Sequence, residues 1–82
     1  MKQTRKIEFI PEIKGCYGPR LWIPEDCEDL RNFVKLICLW GGPVNTRVMG
    51  DYRCSCYELP LGTLDCLTFK LALERLDIEL VQ

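Results

Sequence analysis

The sequence predicts an α+β fold, because one short chain carries two different hydrophobic periodicities in separate segments. Residues 6–13 alternate between apolar and polar side chains, which is typical of a half-buried strand. Residues 24–40 repeat apolar side chains every three or four positions, which is typical of an amphipathic helix. The 82 residues suffice for a single domain over 1–82. We expect a small antiparallel sheet of four to five strands with two helices packed on one face, in a split βαβ or ferredoxin-like layout.

Two strands are predicted near the start of the chain. The first covers residues 6–13 with Ile7 on its apolar face, and Pro11 indicates an edge position or a bulge because proline cannot donate to a sheet ladder. A glycine-rich turn follows. Residues 20–23 then predict a short returning strand, with Trp22 pointing outward and its two neighbours pointing inward.

The first helix is predicted to begin near Pro24 and to end before the segment 41–43. Proline suits a first helical turn, and the four acidic side chains that follow it complement the positive end of the helix dipole. Two glycines and a proline stop a helix where its last carbonyl groups need a left-handed cap. The predicted buried stripe consists of Leu30, Phe33, Val34, Ile37 and Cys38.

Residues 44–59 predict a hairpin around Gly50 and Asp51, for which two registers are possible. A two-residue turn pairs Met49 with Tyr52, whereas a three-residue loop pairs Val48 with Tyr52. A slip of one residue inverts the buried face of a strand, so the apolar pattern decides between them. We predict the three-residue loop because it gathers one apolar face from Val44, Thr46, Val48, Tyr52, Cys54 and Cys56.

The last third of the chain fits a helix or a strand. Thr63 is a suitable N-cap, and the residues up to Leu76 include strong helix formers. The same residues also alternate in a strand pattern, but no turn residues separate Leu73 from Ile78, as a hairpin would require. We predict a helix over 63–76 and a closing strand over 77–81.

Six cysteines are an unusual number for a chain of this length. We expect free thiols in a cytoplasmic protein, because the N-terminal residues lack the continuous apolar core of a secretion signal. No apolar run approaches the roughly 18 residues that cross a membrane. A four-sulfur zinc site from Cys16, Cys27, Cys54 and Cys56 is the alternative, but two cysteines at i and i+2 of a strand lie too far apart for one tetrahedral ion. We therefore predict no metal and no cofactor.

Histidine is absent, which excludes serine–histidine and zinc–histidine catalysis. Cys16 sits in a glycine-flanked loop without a base to activate it. The acidic residues after Pro24 are explained by the helix dipole. We predict no catalytic residue and a protein that is not an enzyme.

The apolar residues exceed what one buried helix face needs, which points to a binding surface. The second predicted helix has two apolar arcs, of which only one can face a sheet. We expect a protein-binding module of the inhibitor or adaptor type, whose partner is another protein with a basic surface or a second copy in a homodimer. A nucleic-acid-binding or thiolate-metal-binding domain is the alternative, although a net charge of −1 argues against nucleic acid as a partner. The predicted partner-binding residues are Glu25, Asp26, Glu28 and Asp29 at the helix start, Leu36, Leu39 and Trp40 at its end, and Trp22.

Overall fold

The computed structural model describes residues 4–82. Its strands and helices are, in chain order, β1 Arg5–Ile10, β2 Arg20–Pro24, α1 Glu28–Ile37, β3 Asn45–Met49, β4 Tyr52–Glu58, α2 Leu67–Arg75 and β5 Ile78–Val81, with short 3-10 turns at Leu39–Gly41 and Thr63–Asp65. No helix in the described part of the chain is both long enough and apolar enough to span a membrane.

All five strands form one sheet in the spatial order β3-β4-β2-β1-β5. Three of the neighbouring pairs are antiparallel, and β1 pairs with β5 in parallel. The predicted α+β class is therefore confirmed, with one parallel pair in an otherwise antiparallel sheet, and the split βαβ layout is compatible with this order. The six cysteines are all free thiols, as predicted.

One face of the sheet packs against both helices and forms the main core. The alternation predicted for the first two strands is confirmed, because Ile7 and Leu21 point into this core while Trp22 points to the opposite face. The alternation follows from the two-residue period of a strand. The most deeply buried side chains of this core are Ile7, Leu21, Ile23, Leu30, Val34, Tyr57, Leu59 and Phe69.

Helix α1 is shorter at both ends than predicted. Pro24 is the last residue of β2, where it pairs with Cys54, so the first two acidic residues of the run lie in a turn before the helix. The chain leaves the helix at Cys38, which is extended, and Trp40 has a φ of 70° inside the following 3-10 turn. The predicted extension of the helix through Trp40 is therefore wrong, because the extended backbone at Cys38 ends the helix before Leu39 and Trp40 are reached.

Helix α2 confirms the helical interpretation of the last third of the chain. The segment consists of two pieces, since the 3-10 turn at Thr63–Asp65 precedes the helix proper. Thr63 donates its hydroxyl to the carbonyl of Pro60 and does not cap α2, whose N-cap position is held by Cys66. Phe69 faces the core, whereas the arc that contains Leu67 and Leu71 is exposed.

The predicted hairpin register is wrong. Met49 pairs with Tyr52 across a two-residue turn, and Gly50 adopts the positive φ of 62° that such turns require. Cys54 therefore lies opposite Arg47 and shares its face, while Val48 lies on the other face. The physical reason is that Arg47, a charged residue, packs over the buried Trp22 ring on this face, which the apolar pattern does not indicate.

The face of the sheet without helices carries a second, smaller cluster. Trp22 is buried there with Cys54 and Cys56. The guanidinium of Arg47 covers the Trp22 ring at 4.2 Å from its centre, and its Nη2 atom lies 3.4 Å from Oε1 of Glu8. A cation over an aromatic face is attracted by the ring quadrupole, so this side chain closes the cluster without a third layer of structure.

Candidate functional site

A cavity of about 420 Å³ opens where β4 ends, and we name it the Trp40 pocket. It lies between the loop after β1, the 3-10 turn after α1 and the segment after β4. A concave site lined by apolar and aromatic groups with one fixed polar group is the usual form of a binding pocket. The residues that define it here are Cys16, Tyr17, Leu39, Trp40, Glu58 and Leu61.

Glu58 is the buried charge of this pocket, with only 6% of its surface exposed. Its Oε2 atom accepts from the backbone N–H of Gly18 at 3.2 Å, and its Oε1 atom lies 3.5 Å from Nη2 of Arg20 and 3.4 Å from the indole Nε1 of Trp40. A buried carboxylate needs such donors, because an unpaired charge away from water is strongly destabilising. The alternation of β4 places Glu58 on the same face as the two buried thiols.

Gly18 allows the loop after β1 to approach the end of β4. A Cβ atom at this position would lie 1.8 Å from the carbonyl oxygen of Leu59, so no side chain fits there. The neighbouring Pro19 accepts a hydrogen bond from the Leu59 N–H at 2.8 Å. The close approach of the two backbones is what brings the Gly18 N–H within reach of the Glu58 carboxylate.

Trp40 is held in an unusual conformation at the mouth of the pocket. Its backbone has a φ of 70°, in the left-handed region that a bulky residue rarely adopts. Its indole N–H is directed at Glu58, yet 76% of the residue is exposed. Residues in such backbone conformations cost on the order of 1–3 kcal/mol and cluster at functional sites. The indole is thus fixed at one edge, and its apolar surface remains open to solvent.

Arg20 connects the carboxylate to the second aromatic wall. Its guanidinium lies 4.6 Å from the centre of the Tyr17 ring and also reaches Glu58. The stacking and the ion pair constrain the same planar group from two directions. The pocket therefore has one wall stiffened by an arginine and another formed by an oriented tryptophan.

The structure brings together only part of the predicted partner-binding set. Leu39 and Trp40 both line the pocket, and Leu36 is 84% exposed near the end of α1. Trp22 points outward as predicted, but it is buried beneath Arg47 and offers no exposed ring.

The predicted acidic residues lie at the other end of α1, which is about 15 Å long. Glu28 and Asp29 occupy its first turn, where they complement the helix dipole. Asp26 forms an ion pair with Arg5, and the backbone carbonyl of Glu25 accepts from the side chain of Arg31. These acidic side chains do not reach the Trp40 pocket.

The four cysteines considered for zinc are on different sides of the molecule. Cys16 is exposed in the loop after β1, Cys27 is buried on the helix side, and Cys54 and Cys56 are buried on the opposite face. Within residues 4–82, no three Cys, His, Asp or Glu side chains are close enough to hold a metal ion. Burial raises the pKa of the three buried thiols, which keeps them protonated near neutral pH.

Cys66 has the opposite chemistry. It is exposed at the start of α2, where hydrogen bonds from the backbone N–H groups of Phe69 and Thr68 lower the pKa of its thiol. A thiolate at a helix N-terminus is stabilised by these unpaired N–H groups. The surroundings of this thiol therefore favour ionisation, in contrast to those of the buried cysteines.

Sequence reasoning missed Glu58, Gly18 and the supporting role of Arg20. The sequence indicates Glu58 only weakly. It is an acidic residue that follows Cys54 and Cys56 on the same face of a predicted strand. The arrangement can hold a ligand, but three donors already engage the carboxylate.

No protein-family model, curated protein or solved structure matches this chain.

Proposed function

We propose that this chain is a small, non-enzymatic protein-binding module of the inhibitor or adaptor type, with Trp40 as its main anchor. The observation that carries the proposal is the combination at Trp40 of a strained backbone, an indole N–H directed at a buried carboxylate and a largely exposed ring. A side chain fixed before binding loses little entropy when a partner arrives. Tryptophan is among the residues that contribute most to the affinity of protein interfaces.

The pocket beside Trp40 supports a partner that inserts an apolar side chain. Leu61 is an exposed residue of the pocket lining, and Tyr17 and Leu39 complete an apolar lining. The volume of about 420 Å³ exceeds that of any single side chain, so the inserted residue would be accompanied by its neighbours.

The acidic residues at the start of α1 provide a second contact in this proposal. A standard interface covers about 800 Å² on each partner, which is enough to extend beyond the roughly 15 Å length of the helix. Glu28 and Asp29 are exposed and would favour a partner with a basic surface. Such rim charges affect the association rate more than the affinity.

Site-specific photo-crosslinking tests the proposal because it captures a partner whose identity is unknown. A photoreactive phenylalanine at position 61, on the rim of the pocket, is compared in cells with the same group at position 48, because Val48 is a similarly exposed apolar residue on β3. We expect a crosslinked protein from position 61 that is lost when Trp40→Ala is added. The purified pair should then bind at least about 30-fold more weakly with Trp40→Ala, as for an interface hot spot.

Val48→Ala is the matched control and should leave the affinity within about twofold, because it removes an exposed apolar side chain outside the pocket. Circular dichroism confirms that both variants are folded. The proposal fails if position 61 crosslinks no protein, or if the crosslinked partner binds the Trp40→Ala variant with unchanged affinity.

A further inference from the structure

A second cavity, of about 580 Å³, lies between the two helices on their outer side. We name it the helix groove. Its α1 wall is formed by Asp29, Asn32 and Phe33, and its α2 wall by Leu71, Ala72 and Arg75. It shares no residue with the Trp40 pocket, and Asp29 is the one groove residue that also belongs to the acidic contact of the proposed function, so an inference about the groove does not depend on Trp40 as an anchor.

The two helices run in opposite directions along this groove. Asp29, in the first turn of α1, lies at the same end as Arg75, in the last turn of α2, and the ring centres of Phe33 on α1 and Phe69 on α2 lie 5.9 Å apart. An acidic and a basic side chain therefore flank one end of the groove, one on each wall. Neither takes part in an ion pair within residues 4–82.

Beyond the lining residues, each helix carries an exposed leucine one turn further from the charged end. Leu36 follows Asn32 by four residues on α1, and Leu67 precedes Leu71 by four residues on α2, so each leucine continues its wall along the helix. Leu36 is 84% exposed and Leu67 is 69% exposed. Exposed leucines on the side of a helix that faces away from the core are buried when another protein surface packs on that side.

We propose that the helix groove docks against the same groove of a second copy of this chain, in a symmetric homodimer with its two-fold axis along the groove. This axis places α1 of one copy on α2 of the other. Asp29 of each copy then faces Arg75 of the other copy. The dimer therefore contains two complementary charge pairs. Leu36 meets Leu67 of the other copy in the same way.

The charge pattern is what selects a second copy as the occupant. A partner helix of unrelated sequence would have to supply one acidic and one basic side chain at the same end, whereas the symmetry operation supplies both. The paired helices are only nine and ten residues long, which gives an interface at the small end of the usual range. The dimer should accordingly be weak, with a dissociation constant in the micromolar range.

Sedimentation velocity over about 5 to 500 µM protein measures this self-association. The wild-type chain should dimerise reversibly, while Asp29→Arg alone and Arg75→Asp alone should each weaken dimerisation at least about tenfold, because two attractive contacts become repulsive. An equimolar mixture of the two single variants should form a heterodimer, since positions 29 and 75 are then both basic in one chain and both acidic in the other.

Glu28→Arg is the matched control for Asp29→Arg. It places the same charge change in the same helical turn, with a similar effect on the helix dipole, but its position does not line the groove. It should leave dimerisation within about twofold of wild type. Circular dichroism and thermal unfolding confirm that every variant is folded at the temperature of the measurement.

The proposal is overturned by a wild-type chain that stays monomeric across the whole range, which would leave the groove to another partner. It is also overturned by a dimer that Asp29→Arg does not weaken, since that dimer would use a different surface. Loss of the dimer in both single variants without heterodimer formation in their mixture overturns the symmetric pairing.

Discussion

The guanidinium of Arg47 lies 4.2 Å from the centre of the Trp22 ring, on the face of the sheet that neither helix covers. The same side chain forms an ion pair with Glu8, and the thiols of Cys54 and Cys56 are buried in the cluster around the ring. A charged residue thus does what a third layer does in larger domains, because its guanidinium covers one face of the buried Trp22 ring.

The first prediction concerns this cover. Arg47→Ala should lower the free energy of unfolding by about 1–2 kcal/mol, since the cation–π contact and the covered apolar surface are lost together. Urea denaturation measures the change. In a Trp40→Phe background, iodide should quench the fluorescence of Trp22 in the alanine variant and not in its parent. Arg53→Ala is the control, as Arg53 is exposed on the other face, and equal effects of the two variants would contradict the role of Arg47.

The second prediction concerns backbone strain at Trp40. Its φ of 70° suits glycine better than any residue with a Cβ atom. Trp40→Gly should therefore be more stable than Trp40→Ala by about 1 kcal/mol, although both variants lose the indole contact to Glu58. Chemical denaturation of the pair isolates the backbone contribution. An alanine variant as stable as the glycine variant would show that the residue is not strained.

The third prediction concerns the buried carboxylate. Glu58→Gln should destabilise the fold by about 1–2 kcal/mol, because it removes the charge that Arg20 pairs with. In two-dimensional NMR spectra the Gly18 amide and the Trp40 indole N–H should shift together. Glu79→Gln, in the exposed position of β5, should change stability by less than about 0.5 kcal/mol. Unchanged Gly18 and Trp40 resonances would disprove the three-donor arrangement.

The fourth prediction concerns thiol reactivity. Cys66 should be alkylated first at neutral pH, because its lowered pKa raises its thiolate fraction above that of an ordinary exposed thiol. Mass spectrometry after brief treatment with iodoacetamide identifies the modified residue. Cys16, which is also exposed, serves as the internal comparison, and its preferential modification would contradict the prediction.

The fifth prediction is the pH dependence of stability. Burial raises the pKa of the Cys27, Cys54 and Cys56 thiols, so the unfolded chain releases these protons at a lower pH than the folded chain does. The unfolded state then binds fewer protons, and the free energy of unfolding should fall as pH rises above the ordinary thiol pKa of about 8.5. Below that pH the stability is fully present.

Urea denaturation between about pH 7 and pH 10 checks this dependence. Cys66→Ser is the appropriate background, since the lowered pKa of Cys66 contributes with the opposite sign. Replacing the three buried cysteines by alanine should flatten the decline. A free energy of unfolding that is constant or rises over the alkaline range would contradict the assigned directions.

The regular elements are predictable because their signals are local. The alternation in β1 and β2 predicts the correct inward faces, and the apolar period of α1 predicts the correct stripe, in which Leu30 and Val34 are buried. A strand or helix that covers one core must repeat its apolar residues at its own period, whatever lies across from it. The boundary near Pro24 is predicted wrongly because pairing with Cys54 extends β2 through a residue that also suits a helix start.

The site is not predictable because its parts are distant in sequence. The hairpin register is likewise predicted wrongly from the apolar residues, since the charged Arg47 packs over the buried Trp22 ring. The helical period runs through Trp40, and nothing within a few residues of it indicates that Glu58 receives its indole N–H. Contacts between residues 18 positions apart or more depend on how the strands pair, which periodicity does not specify.

The parallel pair of β1 and β5 has a consequence for how quickly the molecule folds. Arg5 aligns with Ile78, so this pairing joins segments from opposite ends of the sheet-forming sequence. Closing so long a loop costs entropy before any of its contacts forms, and topologies rich in such contacts fold slowly. The hairpin of β3 and β4 is local and can form early. Assembly of β5 onto β1 is therefore expected to be the step that limits the folding rate.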